Sequence, residues 1–173
     1  LGTTYFYSDN TLKAYETWER GIAANPNSFI TYRIIANSAI ENRAYEKAID
    51  FLKRGKKISD DPFPFMLDLS NIYAINMNFK DAATELCELI LIRPDQLPTA
   101  KARVNIYLNR PLAAEQTTVS IINFIDSKET AELLDFLSFV FFQTGKFDEA
   151  LKTITESEEK FKGNVTSIMI FAQ

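Results

Sequence analysis

An interval constrains this chain more than any single residue does. Ala14 is followed by Ala48 and Ala82 at successive steps of 34, and by Ala150 two such steps later. Their neighbours keep the same step. Trp18, Leu52, Leu86 and Ile154 come four residues later, and Gly21, Gly55, Leu89 and Ser157 three after those. Pro26, Asp60, Pro94 and Lys162 close the units, while Tyr5, Ala39, Tyr73 and Phe141 hold a fixed upstream slot. A constant step of this length marks a stack of one supersecondary unit, each copy burying against its neighbours the face it cannot bury alone.

Inside a period lie two amphipathic stretches of helical spacing, joined by a short turn. In residues 29–62, Tyr32, Ile35, Ala36 and Ala39 form one apolar stripe, and Tyr45, Ala48, Ile49 and Leu52 form the other. Alanine at the crossing lets two antiparallel helices approach closely, with aromatics such as Tyr45, Phe79 and Phe147 filling the gap beside it. Pro26, Pro62, Pro64, Pro94 and Pro98 fall between units, where helices stop or start, and Pro111 falls in a turn inside one.

This pattern resembles the tetratricopeptide repeat family, whose signature runs W-x2-L-G-x2-Y, then A-x3-F, then P within a unit of the same length. Leu1-Gly2-x-x-Tyr5, Ala14-x-x-x-Trp18 and Pro26 carry its second half in the first unit. The resemblance implies an all-α fold, a right-handed α-solenoid of antiparallel helix–turn–helix repeats, in one array over residues 1–173. Its units are a partial repeat 1–28, repeats 29–62, 63–96, 97–130 and 131–164, and the start of a further helix at 165–173. Leu1 and Gln173 fall inside repeats, so the natural protein is expected to be longer or atypically capped.

The repeat at 97–130 is the irregular one. Strict spacing puts Gln116 in the alanine slot and Ser120 in the large-residue slot. A slid second helix packs Ala113, Thr117, Ser120 and Ile121 instead, and is the favoured reading, with a shorter turn before it and a longer one around Asp126–Glu129.

Composition removes most chemistry. The chain contains no histidine, which excludes histidine triads, general bases and metal ligands. One cysteine, Cys87, cannot form an internal disulfide or thiolate zinc cluster, and without a basic neighbour it reads as structural. The glycines, at 2, 21, 55, 145 and 163, are too far apart for any two to share a loop, so no phosphate-cradling or dinucleotide loop exists. A net charge of −4 argues against nucleic acid as a partner. Lys53-Arg54-Gly55-Lys56-Lys57 complements a helix C-terminus and needs no ligand. The most apolar stretch, Leu133–Phe142, is half the length of a membrane span and contains Asp135. The expectation is a non-enzymatic protein without cofactor or metal. A cytoplasmic location is favoured and an exported one left open.

Repeat arrays of this family bind extended peptides along a concave face lined by the first helix of each unit. The resemblance places Asn37, Asn71 and Asn105 on that face, one period apart, where amides can pair with a peptide backbone or instead bond between adjacent units. Four residues upstream stand Arg33, Leu67 and Lys101. Arg33 with Asn37, and Lys101 with Asn105, are similar to half of the family's carboxylate clamp. Asp68, Pro98 and Ala102 break its remainder, which disfavours capture of a peptide C-terminus. Phe136, Phe139 and Phe142 are assigned to the same inner side as an apolar patch for a partner's anchor, with burial against a following helix as the alternative. The implied function is a protein-interaction scaffold for a protein or extended peptide. The alternatives are a self-assembly element, forming homo-oligomers through its terminal repeats, and the regulatory arm of a larger protein.

Overall fold

The computed structural model describes residues 2–7 and 10–161, apart from the Tyr7 side chain. The expected start of a further helix at 165–173 lies outside the described residues. Ten α-helices and a short 3₁₀ turn account for the secondary structure of the described residues, which contain no strand. They divide into two compact units, Leu1–Asn76 and Met77–Gln173.

The first unit holds α1 (Gly2–Tyr7), α2 (Thr11–Ala24), α3 (Phe29–Glu41), α4 (Tyr45–Ile58) and α5 (Phe63–Ile75). α1 packs on α2, α3 on α4, and α4 on α5. The crossing points are small, as the interval requires: Ala14, Ala36, Ala39 and Ala48 are fully buried. Trp18 fills the space beside Ala14, stacked on Phe6 and edge-on to Phe51. Gly55 lies where α4 meets both neighbours, and a Cβ there would overlap the Phe65 ring and crowd Tyr32.

The second unit holds α6 (Phe79–Ile92), the 3₁₀ turn Pro94–Gln96, α7 (Leu97–Asn105), α8 (Ala113–Ser127), α9 (Ala131–Gln143) and α10 (Phe147–Phe161). α9 packs on α10, while α8 packs chiefly on α6 and α9. Ala82, Leu86, Ala100, Val104, Leu133 and Ala150 are fully buried at the crossings.

Across the chain the helix starts keep one register. α3, α5, α7 and α9 begin at 29, 63, 97 and 131, and α4, α6, α8 and α10 begin at 45, 79, 113 and 147. The turns inside the repeats obey it too. Met77 follows Arg43 by one period and Gly145 follows Met77 by two, and each takes a left-handed backbone, with φ of 57°, 57° and 77° for Arg43, Met77 and Gly145. The chain reverses there through hydrogen bonds such as Ala44 N–H to the Ala39 carbonyl at 2.9 Å and Lys146 N–H to the Phe141 carbonyl at 2.9 Å.

In the repeat at 97–130 that slot is occupied by Pro111, whose ring fixes a negative φ. The left-handed residue is therefore Leu112, at φ 64°. α7 stops at Asn105, leaving residues 106–112 as a long connection, whereas only residues 128–130 separate α8 from α9. The expected turn lengths are thus reversed. The packing set is the slid one: Ala113, Thr117, Ser120 and Ile121 are buried, and Gln116 is half-buried. α8 nonetheless starts in register. It is turned about its own axis by one residue, about 100°, rather than moved along the chain.

Candidate partner-binding face

In the first unit, α3 turns Tyr32, Ala36 and Ala39 into the core, which carries Asn37, one residue round from Ala36, out to solvent. α5 repeats the arrangement: Ser70 and Tyr73 are buried, and Asn71 is exposed. In the second unit, α7 buries Ala100 and Val104 and exposes Asn105. None of the three asparagine side chains makes a hydrogen bond within the chain among the described residues.

The basic residues beside them are already engaged. Arg33 Nε donates to Asp68 Oδ2 at 2.7 Å, joining α3 to α5. Lys101 Nζ donates to Asp135 Oδ2 at 2.9 Å, joining α7 to α9, and lies over the Phe139 ring at 5.5 Å from its centroid. Each unit thus links two successive first helices by one ion pair, from a base to an acid about one period downstream. Asp68, which breaks the clamp pattern in the sequence, is the partner of the clamp-like arginine. Searching for opposite charges about one period apart would have found both pairs.

Arg54 does likewise between second helices. Its guanidinium holds both Glu19 oxygens at 2.9–3.1 Å and Asp50 at 3.1 Å, over the rings of Tyr32 and Phe51. Glu19 raises the Arg54 pKa further above its already high range, against the opposing effect of burial. The basic run at 53–57 is therefore more than a helix-end complement: its second residue clasps α4 to α2.

The three phenylalanines do not share a surface. Phe136 is completely buried, Phe139 is half-buried under Lys101, and Phe142 is 40% exposed with its edge to Phe147 at 5.4 Å. Steps of three residues drift back about 60° each on a helix, so the outer two are about 120° apart. α9 is also flanked by α7, α8 and α10, which leaves Phe136 inside the core rather than on a partner-facing side.

Sequence reasoning missed the surroundings of Asn105. It lines a cleft of about 520 Å³ together with Leu108, Asn109, Ala114, Gln143 and Thr144. Among the described residues no titratable side chain lines this cleft. Cys87 is fully buried, and burial pushes its thiol up to about 12, so it is protonated and unreactive at neutral pH. Among the described residues no cluster of three metal-ligating side chains occurs, and no helix is long and apolar enough to cross a membrane.

No protein-family model matches the chain, and no curated protein matches it. Among solved structures it is similar to one titled "Crystal structure of MamA", at 15% identity and a TM-score of 0.49, covering 94% of this chain and 95% of that one. It is also similar to a putative kinesin light chain from Podosopora anserina with nearly identical TPR-like repeats, at 12% identity and a TM-score of 0.47, covering 91% and 90%. What makes this chain a repeat protein is its own geometry: helix starts in one 34-residue register, small buried residues at each crossing, and left-handed turns at the same step. On that geometry, the fold is all-α and built from TPR-like antiparallel helix–turn–helix repeats.

Proposed function

We propose that this chain is a protein-interaction scaffold, and that it holds a protein or extended peptide on the exposed faces of its first helices. The observation that carries the reading is the state of Asn37, Asn71 and Asn105: in register, exposed, and without hydrogen bonds to the described residues. An amide both donates and accepts, so each can satisfy a peptide backbone irrespective of the peptide's side chains. Ile30 and Ile34, 56% and 61% exposed beside Asn37, offer apolar contact on the same helix. Packed helices within each unit keep the ordering cost of association low. Continuity of the repeat step supports residues 1–173 acting as one array.

Asn71→Ala is the test. It should weaken partner binding about 5- to 150-fold, the ~1–3 kcal/mol of an unsatisfied hydrogen-bond partner, with the melting temperature unchanged. Unchanged affinity, or loss of fold, overturns the assignment.

A second reading is self-assembly through the exposed side of α10. Phe147 and Leu151 are 58% and 52% exposed, although Phe79 and Ala83, which hold the same slots in α6, are buried. Sedimentation velocity over a hundredfold concentration range, with the Phe147→Ser variant beside it, separates the two readings.

A further inference from the structure

The first-helix face of each unit carries a basic residue that is neutralised within the protein. In the first unit Arg33 is held by Asp68 at 2.7 Å, among exposed Ile30, Ile34, Asn37 and Asn71. In the second, Lys101 is held by Asp135 at 2.9 Å, one helical turn from Asn105 and the uncharged cleft that it lines. The carboxylates are not stray surface acids. Each sits on the next first helix, at hydrogen-bond distance from the base, with only 28% and 23% of its side chain exposed.

We infer that Asp68 and Asp135 are specificity-determining residues, and that through them the first-helix face of each unit takes uncharged, partly apolar peptide segments and rejects acidic ones. The inference rests on the scaffold reading above. A ligand carboxylate approaching Arg33 must displace Asp68, exchanging one ion pair for another while desolvating a second anion; a net gain is then unavailable. A neutral peptide meets no such contest. It finds amides for its backbone and isoleucine side chains for its apolar groups. Rejection by a built-in like charge is a common route to selectivity, because discrimination depends on a difference between two affinities.

The substitution Asp68→Asn keeps the side-chain shape and frees Arg33. The double variant Arg33→Gln/Asp68→Asn removes the freed charge again. A phage-displayed library of random dodecapeptides is panned against the wild type and both variants, with melting temperatures recorded for each. Wild-type selections should be depleted of Asp and Glu relative to the unselected library. Asp68→Asn should reverse that depletion, and individual acidic clones should bind it about 3- to 10-fold better than wild type. The advantage should vanish near 0.5 M salt, since partly exposed charges are strongly screened there. The double variant should return to the wild-type preference, which a merely destabilised fold would not do.

Wild-type enrichment of acidic peptides, or an Asp68→Asn selection identical to wild type, overturns the inference while leaving the scaffold reading intact. If no peptide is enriched on any of the three proteins, the binding face itself is wrong and the inference falls with it.

Discussion

Gly145 takes its left-handed turn without cost, but Arg43 and Met77 hold the equivalent backbone with a Cβ. Arg43→Gly and Met77→Gly should therefore each stabilise the fold by about 1 kcal/mol, and Gly145→Ala should cost about as much, by urea melts. Gly55 behaves oppositely. It sits within the last turn of α4, where alanine would normally help, yet a methyl group would overlap the Phe65 ring. Gly55→Ala should cost about 1–3 kcal/mol despite its better helix propensity. Cys87 adds a pH dependence. Burial raises its folded pKa to about 12 from 9.0, so the native state retains a proton that the unfolded chain releases. Its stabilising contribution is complete below about pH 9 and declines as pH rises toward 12. Burial shifts the Tyr107 phenol in the same direction. Alkaline melts should show the decline, and Cys87→Ala should flatten it; an unchanged slope would assign the effect elsewhere.

At the scale of the element, α8 is the informative helix. Its sequence supplies small and polar residues where α6 supplies large ones, and Tyr107, from the preceding connection, is buried and stacked on Phe79 at 5.3 Å. The Tyr107 and Thr117 hydroxyls are both buried without a partner of hydrogen-bond geometry, although Thr117 stands close enough to oppose the upward push of burial on the phenol. Ala113 is completely buried whereas Gln116 is half-buried. Ala113→Leu should then overpack the helix and cost about 1–3 kcal/mol, as should Ala82→Leu in α6. Gln116→Leu should change stability by no more than about 0.5 kcal/mol. Equal losses at residues 113 and 116 would mean that α8 is not turned. The slid packing set is legible in the sequence, because apolar and small residues recur at helical spacing. Its cause is legible only once the left-handed step at 43, 77 and 145 is known, since Pro111 then stands where no proline can take that conformation.

Over the molecule, local ion pairs tie successive repeats together: Glu19 to Arg54, Arg33 to Asp68, Lys101 to Asp135, and Lys160 to Glu129 at 2.8 Å. Partly exposed pairs of this kind contribute little stability singly, about 0–1 kcal/mol, so their weight falls on register and on the charge presented to a partner. In 0.5 M salt the melting temperature should move by only a few degrees, while any partner selectivity that depends on Asp68 should be lost. The sequence by itself determined the helices, their common register and the buried small residues at the crossings. Each of these depends on periodicity along one chain, and a period survives whatever surrounds it. The exposure of Asn37, Asn71 and Asn105 was equally readable, since each comes one position after a core residue of its helix, namely Ala36, Ser70 and Val104. Tertiary structure alone decided that Phe136 is core while Phe142 is not, and that Asn105 shares a cleft with Gln143. Those outcomes depend on which helices flank a given face, and distances between helices are not written in the spacing within one.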